Sequence, residues 1–289
     1  MSKRVGLTEK DHSLFVMCGM AGLISALFGA PLMATFLSME VVSLGVIYYA
    51  ALLPCLISAL TSFFITRLLN LEPMRYSLGA FSGNETVLMV KVSFLAIGCA
   101  VVSILFCGCM MLWGRLMKKK VKNQYIRILI GSGCIILLTL LVGSQRYNGS
   151  SAALLGEAIT NGNAHPLDFL MKIIFTAITL QSGYKGGAVY PSLIIGATFG
   201  AAFGPILGIP ATLAAAVGMI AVFCGAVNCP IAAICFAAEV FGGDHILIFA
   251  IAAAISFVFS GYFTIFPGQH FIYSKLRTEY KNSGLREDK

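Results

Sequence analysis

Charge is what this chain has least of. Asp, Glu, Lys and Arg together make up 11% of its 289 residues, while 58% are hydrophobic and the mean hydropathy is +0.89. A soluble domain carries about 25% charged residues, so a water-soluble globule is excluded and an integral membrane protein is expected. Carboxylates are scarcer still. The four aspartates (Asp11, Asp168, Asp244 and Asp288) all fall near segment ends, with Gly242-Gly243-Asp244 in a turn. An intramembrane aspartyl protease needs two close aspartates sharing a proton, so that chemistry has no support. No Gly-x4-Gly-Lys-Ser/Thr stretch occurs, which argues against an ATP-driven pump. Histidines 12, 165, 245 and 270 never cluster, and nine cysteines are scattered through apolar runs, Cys107-Gly-Cys109 included. That pattern suggests packing residues rather than disulfides or a metal site. An enzyme is not expected, and neither cofactor nor metal is called for. Met1 to Ser13 is polar and lacks a cleavage pattern, so no removable signal peptide is expected.

The charges that are present sit at segment ends. Arg115, Lys118, Lys119, Lys120, Lys122 and Arg127 form one loop, and Lys275, Arg277, Lys281 and Arg286 lie in the C-terminal tail. The net charge of +8 is therefore a topology signal rather than a nucleic-acid one, and both clusters belong on the cytoplasmic face. Apolar segments are expected over residues 14–28, 31–44, 46–69, 86–117, 125–142, 167–180, 191–207, 210–223, 230–241 and 246–266, with a short amphipathic helix at 151–160 and a last one from about Gln269. The first two are each roughly 15 residues, too short to cross about 30 Å alone. Such broken pieces suit a transport protein better than an anchor.

An internal repeat runs through the chain. Gly19-Met20, Ala30-Pro31-Leu32-Met33-Ala34 and Glu40-Val41 recur 199 residues later as Gly218-Met219, Cys229-Pro230-Ile231-Ala232-Ala233 and Glu239-Val240. Pro191 precedes Pro230 by 39 residues, so its first-copy partner would fall at 31 − 39 = −8, before Met1. A whole second repeat and only the tail of a first are therefore expected.

The stretch that the chain is organised around is Gly183-Tyr184-Lys185-Gly186-Gly187-Ala188-Val189-Tyr190-Pro191-Ser192-Leu193, a polar glycine-rich loop entering a small-residue helix. A helix that starts inside a membrane leaves its first N–H groups without intrahelical partners, and their partial positive charge suits an anion. An ordinary surface turn before a membrane helix is the competing reading. Lys185 either raises the local potential for anions or is a solvated vestibule residue. Glu40 and Glu239, in apolar helices, are either hydrogen-bonding groups near helix ends or proton-path carboxylates.

Gly186-Gly187-Ala188-Val189-Tyr190-Pro191, with Gly196-Ala197 and Gly200 following, resembles the second-half filter motif of CLC chloride channels and proton-coupled chloride transporters. Leu27-Phe28-Gly29-Ala30-Pro31-Leu32 through Glu40 is similar to that family's Ala-Phe-Asn-Ala-Pro-Leu segment and its glutamate. Phe271-Ile272-Tyr273-Ser274 resembles its Pro-Leu-Tyr, whose tyrosine hydroxyl points at the central anion. The resemblance implies an all-α polytopic fold built as a CLC-type inverted repeat of short, tilted and broken helices. It divides a single transmembrane domain, 1–289, into the end of the first repeat (1–45), a span and loop (46–85), the second repeat (86–266), and a final helix with a cytoplasmic tail (267–289). It also implies a homodimer in the cell membrane, surrounded by lipid, that moves chloride or another small anion. The anion would be held by backbone N–H groups of Gly186, Gly187, Ala188, Val189 and Tyr190, with Pro191 opening the helix, and by the Tyr273 hydroxyl.

Departures from the family pattern are informative. Its Gly-Ser-Gly-Ile-Pro and Gly-Arg-Glu-Gly-Pro loops are absent, and the second supplies the gating glutamate. A truncated or split CLC subunit, working with a separate N-terminal segment or inactive alone, is therefore the alternative expectation. Gly-Tyr-Lys-Gly-Gly is closer to the fluoride-exporting branch, although that branch has a glutamate where Ala188 stands. Proton-coupled members carry a relay carboxylate where this chain has Val41.

Overall fold

The computed structural model describes residues 9–44, 47–79, 84–266, 268–273, 275 and 280–284. Among these the chain is predominantly α-helical, in keeping with an all-α polytopic membrane protein. Five helical stretches are long and apolar enough to cross a membrane: Asp11–Phe28, Tyr49–Leu68, Glu85–Lys120, Gln124–Val142 and Val189–Leu207. The chain separates into two compact units. The first comprises Met1–Ser77, Cys229–Ile246 and Phe266–Lys289; the second comprises Leu78–Asn228 and Leu247–Ile265.

In the first unit, α1 (Glu9–Phe28) extends back from the apolar run into the polar lead, as far as Glu9. The helix is 20 residues long and reaches spanning length, where a shorter piece is expected from the apolar run alone. Gly29 ends it in the left-handed region (φ 66°), and a β-carbon there would lie 2.2 Å from Pro73. Pro31 then opens α2 (Pro31–Glu40), where its missing N–H costs nothing. The helix α3 (Leu52–Leu68) packs on α1 through hydroxyl groups turned onto the neighbouring backbone. Ser25 Oγ donates to Ala59 O at 2.7 Å, and Ser58 Oγ donates to Cys18 O at 2.8 Å. Small and hydroxyl-bearing residues allow this approach where lipid removes any hydrophobic gain from pairing helices. The unit is completed by α10 (Pro230–Phe241) and a small sheet.

That sheet corrects the expectation of a final helix. Residues His270–Tyr273 form strand β2, parallel to β1 (Ser43–Leu44) and antiparallel to β3 (Tyr280–Gly284). The run His-Phe-Ile-Tyr is aromatic and β-branched, which favours a pleated partner surface over a helix. The segment after Pro31 likewise stops at Glu40 instead of reaching Leu44, because Ser43 and Leu44 join this sheet.

In the second unit, α4 (Glu85–Lys120) has 36 residues. At 1.5 Å per residue that is roughly 54 Å, well beyond a hydrocarbon core of about 30 Å. Its start is capped by Asn84, whose side chain accepts from Thr86 N at 3.0 Å, and its last turn carries Lys118, Lys119 and Lys120. Asn123 caps α5 (Gln124–Val142) in the same way, accepting from Tyr125 N at 2.9 Å. The remaining helices are α6 (Ala152–Thr160), α7 (Asp168–Gln181), α8 (Val189–Phe203), α9 (Ala211–Val227) and α11 (Ile246–Phe259). The last ends seven residues earlier than the apolar run suggests, and Asn228 Nδ2 donates to Phe263 O beyond it.

A buried lysine on α7 holds the connection between α5 and α6. Lys172 Nζ donates to Tyr147 O (3.2 Å), Gly149 O (2.9 Å) and Ser151 Oγ (2.8 Å), using all three of its protons. Beside it the buried Asp168 accepts from Tyr147 Oη at 2.6 Å and His165 N at 2.9 Å. Burial and then the Asp168 carboxylate push the Tyr147 hydroxyl up to about 12, so it remains a donor at any physiological pH. Lys172→Ala strips the buried Tyr147 carbonyl and the part-buried Gly149 carbonyl of their donor, and the buried loss alone costs about 1–3 kcal/mol. The expected result is a clearly lower unfolding temperature in detergent and faster proteolysis at 143–151.

Candidate functional site

The glycine-rich loop is placed by the end of α7 and the start of α8. Two other helices approach the end of α7 closely at glycines. A β-carbon at Gly114 of α4 would lie 2.6 Å from Gln181 Oε1, and one at Gly131 of α5 would lie 2.4 Å from Ser182. Trp113 Nε1 donates to Ser182 Oγ at 3.4 Å. Gly183 then turns the chain with φ 114°, and the Tyr184 hydroxyl is hydrogen-bonded to Ser132 Oγ on α5. The loop is thus tied at both its entry and its first side chain.

From there Tyr184, Lys185, Gly186 and Gly187 are exposed, and Ala188, Val189 and Tyr190 are half-buried. Ala188 is the N-cap of α8 and supplies no side-chain cap. Pro191 lies in the first turn, and Ser192 N donates back to Ala188 O at 3.2 Å. The helix dipole puts its positive end at Val189. At Gly187 a β-carbon would meet nothing within 4 Å, so the loop faces open space there. At Gly186 it would lie 2.9 Å from a terminal methyl of the Leu180 side chain.

The direction of α8 is set by a glycine stripe. Gly196, Gly200 and Gly204, one turn apart, lie against α9, where β-carbons would approach Gly218 O to 2.2 Å, Ala214 O to 2.0 Å and Ala214 Cβ to 2.0 Å. Two backbones in such direct contact leave α8 little freedom to tilt, so its N-terminus is aimed by packing. The trailing Gly-Ala signal in the sequence has this physical meaning.

Glu40 and Glu239 take a different arrangement, within the first unit. Glu239 accepts from Leu32 N and Met33 N, both at 2.9 Å. Glu40 accepts from Ile231 N at 3.3 Å and Ala232 N at 2.9 Å. Each carboxylate therefore caps the start of the other proline-led helix, which requires α2 and α10 to lie antiparallel. The backbone obeys the 199-residue repeat too. Gly29 and Asn228 both adopt left-handed conformations (φ 66° and 61°), and Ala30 and Cys229 share φ,ψ near −127°,82° and −122°,84°. These carboxylates belong to the first unit, and the glycine-rich loop belongs to the second. The Tyr273 side chain lies outside the described residues, although its backbone is in β2. Sequence reasoning missed Lys172, Ser132 and Gln181. None carries a motif; only the glycines opposite Gln181 and Ser182 hinted at close approach.

A family model described as voltage gated chloride channel matches residues 1–261. The chain belongs to the CLC family. The "Chloride/fluoride channel protein" of Pseudomonas syringae pv. tomato is 29% identical to it, over 93% of this chain and 61% of that protein. The "H(+)/Cl(-) exchange transporter ClcA" of Vibrio cholerae is 30% identical, over 98% of this chain and 63% of its own length. Among solved structures, a CLC-type fluoride/proton antiporter superposes with a TM-score of 0.87 at 32% identity, covering 91% of this chain and 67% of that one. A eukaryotic CLC transporter shares the fold (TM-score 0.67, 20% identity, 86% of this chain and 43% of that one). The chain thus spans 61–63% of the length of these two curated CLC relatives.

Proposed function

We propose that this CLC-family chain moves a small halide across the membrane, holding it at the N-terminus of α8 through backbone N–H groups of residues 186–190. The observation that carries this reading is the uncapped, glycine-aimed helix start behind an exposed loop. Backbone donors dehydrate an anion stepwise without offering a full counter-charge, so binding stays weak enough for release. Lys185, exposed in the same loop, adds positive potential. Val41 is buried and offers no exchangeable proton, so coupling through that position is absent from this reading. Tyr273 is the further anion contact that family resemblance supplies, and Tyr273→Ala is expected to alter flux or selectivity. Chloride is the primary cargo proposed. Fluoride is the second reading, because two of the relatives carry that word in their names. The working unit is a homodimer.

Gly187 gives a clean test, because its open surroundings separate charge from sterics. In vesicles loaded with chloride and fluoride, Gly187→Ala is expected to keep flux near the wild-type value. Gly187→Asp is expected to cut it at least about tenfold, since a like charge within a few ångströms opposes an anion by more than 1 kcal/mol outside bulk water. Equal flux in the two variants would remove the loop from the pathway. A chain that needs a complementing CLC segment would show no flux alone and regain it on co-expression with one.

A further inference from the structure

The turn between α4 and α5 carries a binding feature that anion transport does not use. Arg115, Lys118, Lys119, Lys120 and Lys122 are all exposed, and Arg127 follows in the first turns of α5. No acidic residue occurs between Glu85 and Glu157, so nothing in the surrounding sequence offsets these cations. Among the described residues none of the six takes part in an ion pair. Arg127 goes further: its Nε is buried and has no hydrogen-bond partner. A buried guanidinium nitrogen without an acceptor is costly, so this half-buried side chain gains by turning outward to an acceptor beside the turn.

What adjoins the cations is apolar and uncovered. Along α5 the only buried residue is Gly131, while Tyr125 is 84% and Leu129 is 74% exposed. On α4, Leu112 and Leu116 are exposed just before the cluster. A basic turn with an aromatic residue at its rim and bare leucines beside it is the composition of a membrane interface. The positive-inside rule puts it at the cytoplasmic leaflet, whose anionic lipids attract such segments.

We propose that the α4–α5 turn binds the phosphate headgroup of an anionic lipid. The Arg127 guanidinium engages the phosphate, the lysines of 118–122 supply the surrounding field, and acyl chains lie along Leu129 and its neighbours on α5. Arginine suits the role because its planar fork matches phosphate oxygens, whereas the lysines act as point charges.

The test is a titration of purified protein in neutral detergent with phosphatidylglycerol or phosphatidylcholine, read by native mass spectrometry of bound lipid. Wild type is expected to retain phosphatidylglycerol at least tenfold more strongly than phosphatidylcholine. That preference should be lost in the Lys118, Lys119, Lys120 and Lys122→Gln variant. It should weaken several-fold in Arg127→Gln alone and survive in Arg67→Gln, a helix-end arginine set over Phe63 instead. Each variant is first confirmed monodisperse, and working in detergent keeps a change of membrane orientation from entering the result. No headgroup preference in wild type, or an unchanged preference in the quadruple variant, overturns the proposal. So does complete displacement by inorganic phosphate, which would mark a site for soluble anions.

Discussion

Gly200→Val and Gly196→Val are expected to abolish folded protein, with the monodisperse peak in detergent lost on size-exclusion chromatography. The argument is steric. Real β-carbons essentially never approach another heavy atom within 3.0 Å, yet one at Gly200 would lie 2.0 Å from Ala214 O and one at Gly196 would lie 2.2 Å from Gly218 O. Both obstacles are backbone carbonyls, which cannot swing away as a side chain can. The helices α8 and α9 would have to separate, and α9 is buried continuously from Leu213 to Val227. Overpacking where neighbours can adjust already costs about 1–3 kcal/mol, and here adjustment means moving a whole helix. Even Gly200→Ala should reduce the yield sharply. Gly108→Ala and Gly133→Ala are the controls, because their β-carbons meet nothing within 4 Å. They should express at wild-type level, since alanine is the better helix former. Normal yield of Gly200→Val would mean that the α8–α9 contact is not as close as described.

The second large effect is expected at the reciprocal caps. Glu239→Ala leaves Leu32 N and Met33 N without their acceptor, and Glu40→Ala does the same to Ile231 N and Ala232 N. Hydrogen bonds to a charged group contribute about 1.5–3 kcal/mol each, so either alanine variant should destabilise by on the order of 3 kcal/mol. Proline at the head of each helix sharpens the effect, because Pro31 and Pro230 already remove one donor and fix where the next two point. Glutamine keeps one acceptor oxygen but turns its amide nitrogen toward the other N–H, so the Gln variants should fall between wild type and Ala. Thermal unfolding in detergent measures the order. A purely proton-carrying pair would instead leave stability unchanged in Glu→Gln and alter only pH-dependent flux.

Much of this architecture could be read in the chain itself. The 199-residue repeat predicts two proline-led helices with glutamates at equal distances, and the structure adds what the repeat does for them: each glutamate caps the other copy. The glycines around Pro191 are legible as a motif, and the distances from Gly196 and Gly200 to α9 give the motif its cause. The end of the chain was not legible. Phe271-Ile272-Tyr273 satisfies both a helix-end motif and a strand pattern, and the choice depends on whether Ser43-Leu44 is available as a pairing partner, which no local periodicity records. Lys172 was invisible for a related reason. Its three acceptors lie 21 to 25 residues away, and the isolated lysine reads as an ordinary polar position.

The most direct test of the central claim is an anomalous-scattering map from crystals of this chain grown or soaked in bromide. The account predicts a bromide peak at the start of α8, within about 3.5 Å of backbone nitrogens in residues 186–190, a normal reach for an N–H donor to an anion. Bromide bound elsewhere with that helix start unoccupied, or no ordered bromide at all, would contradict it.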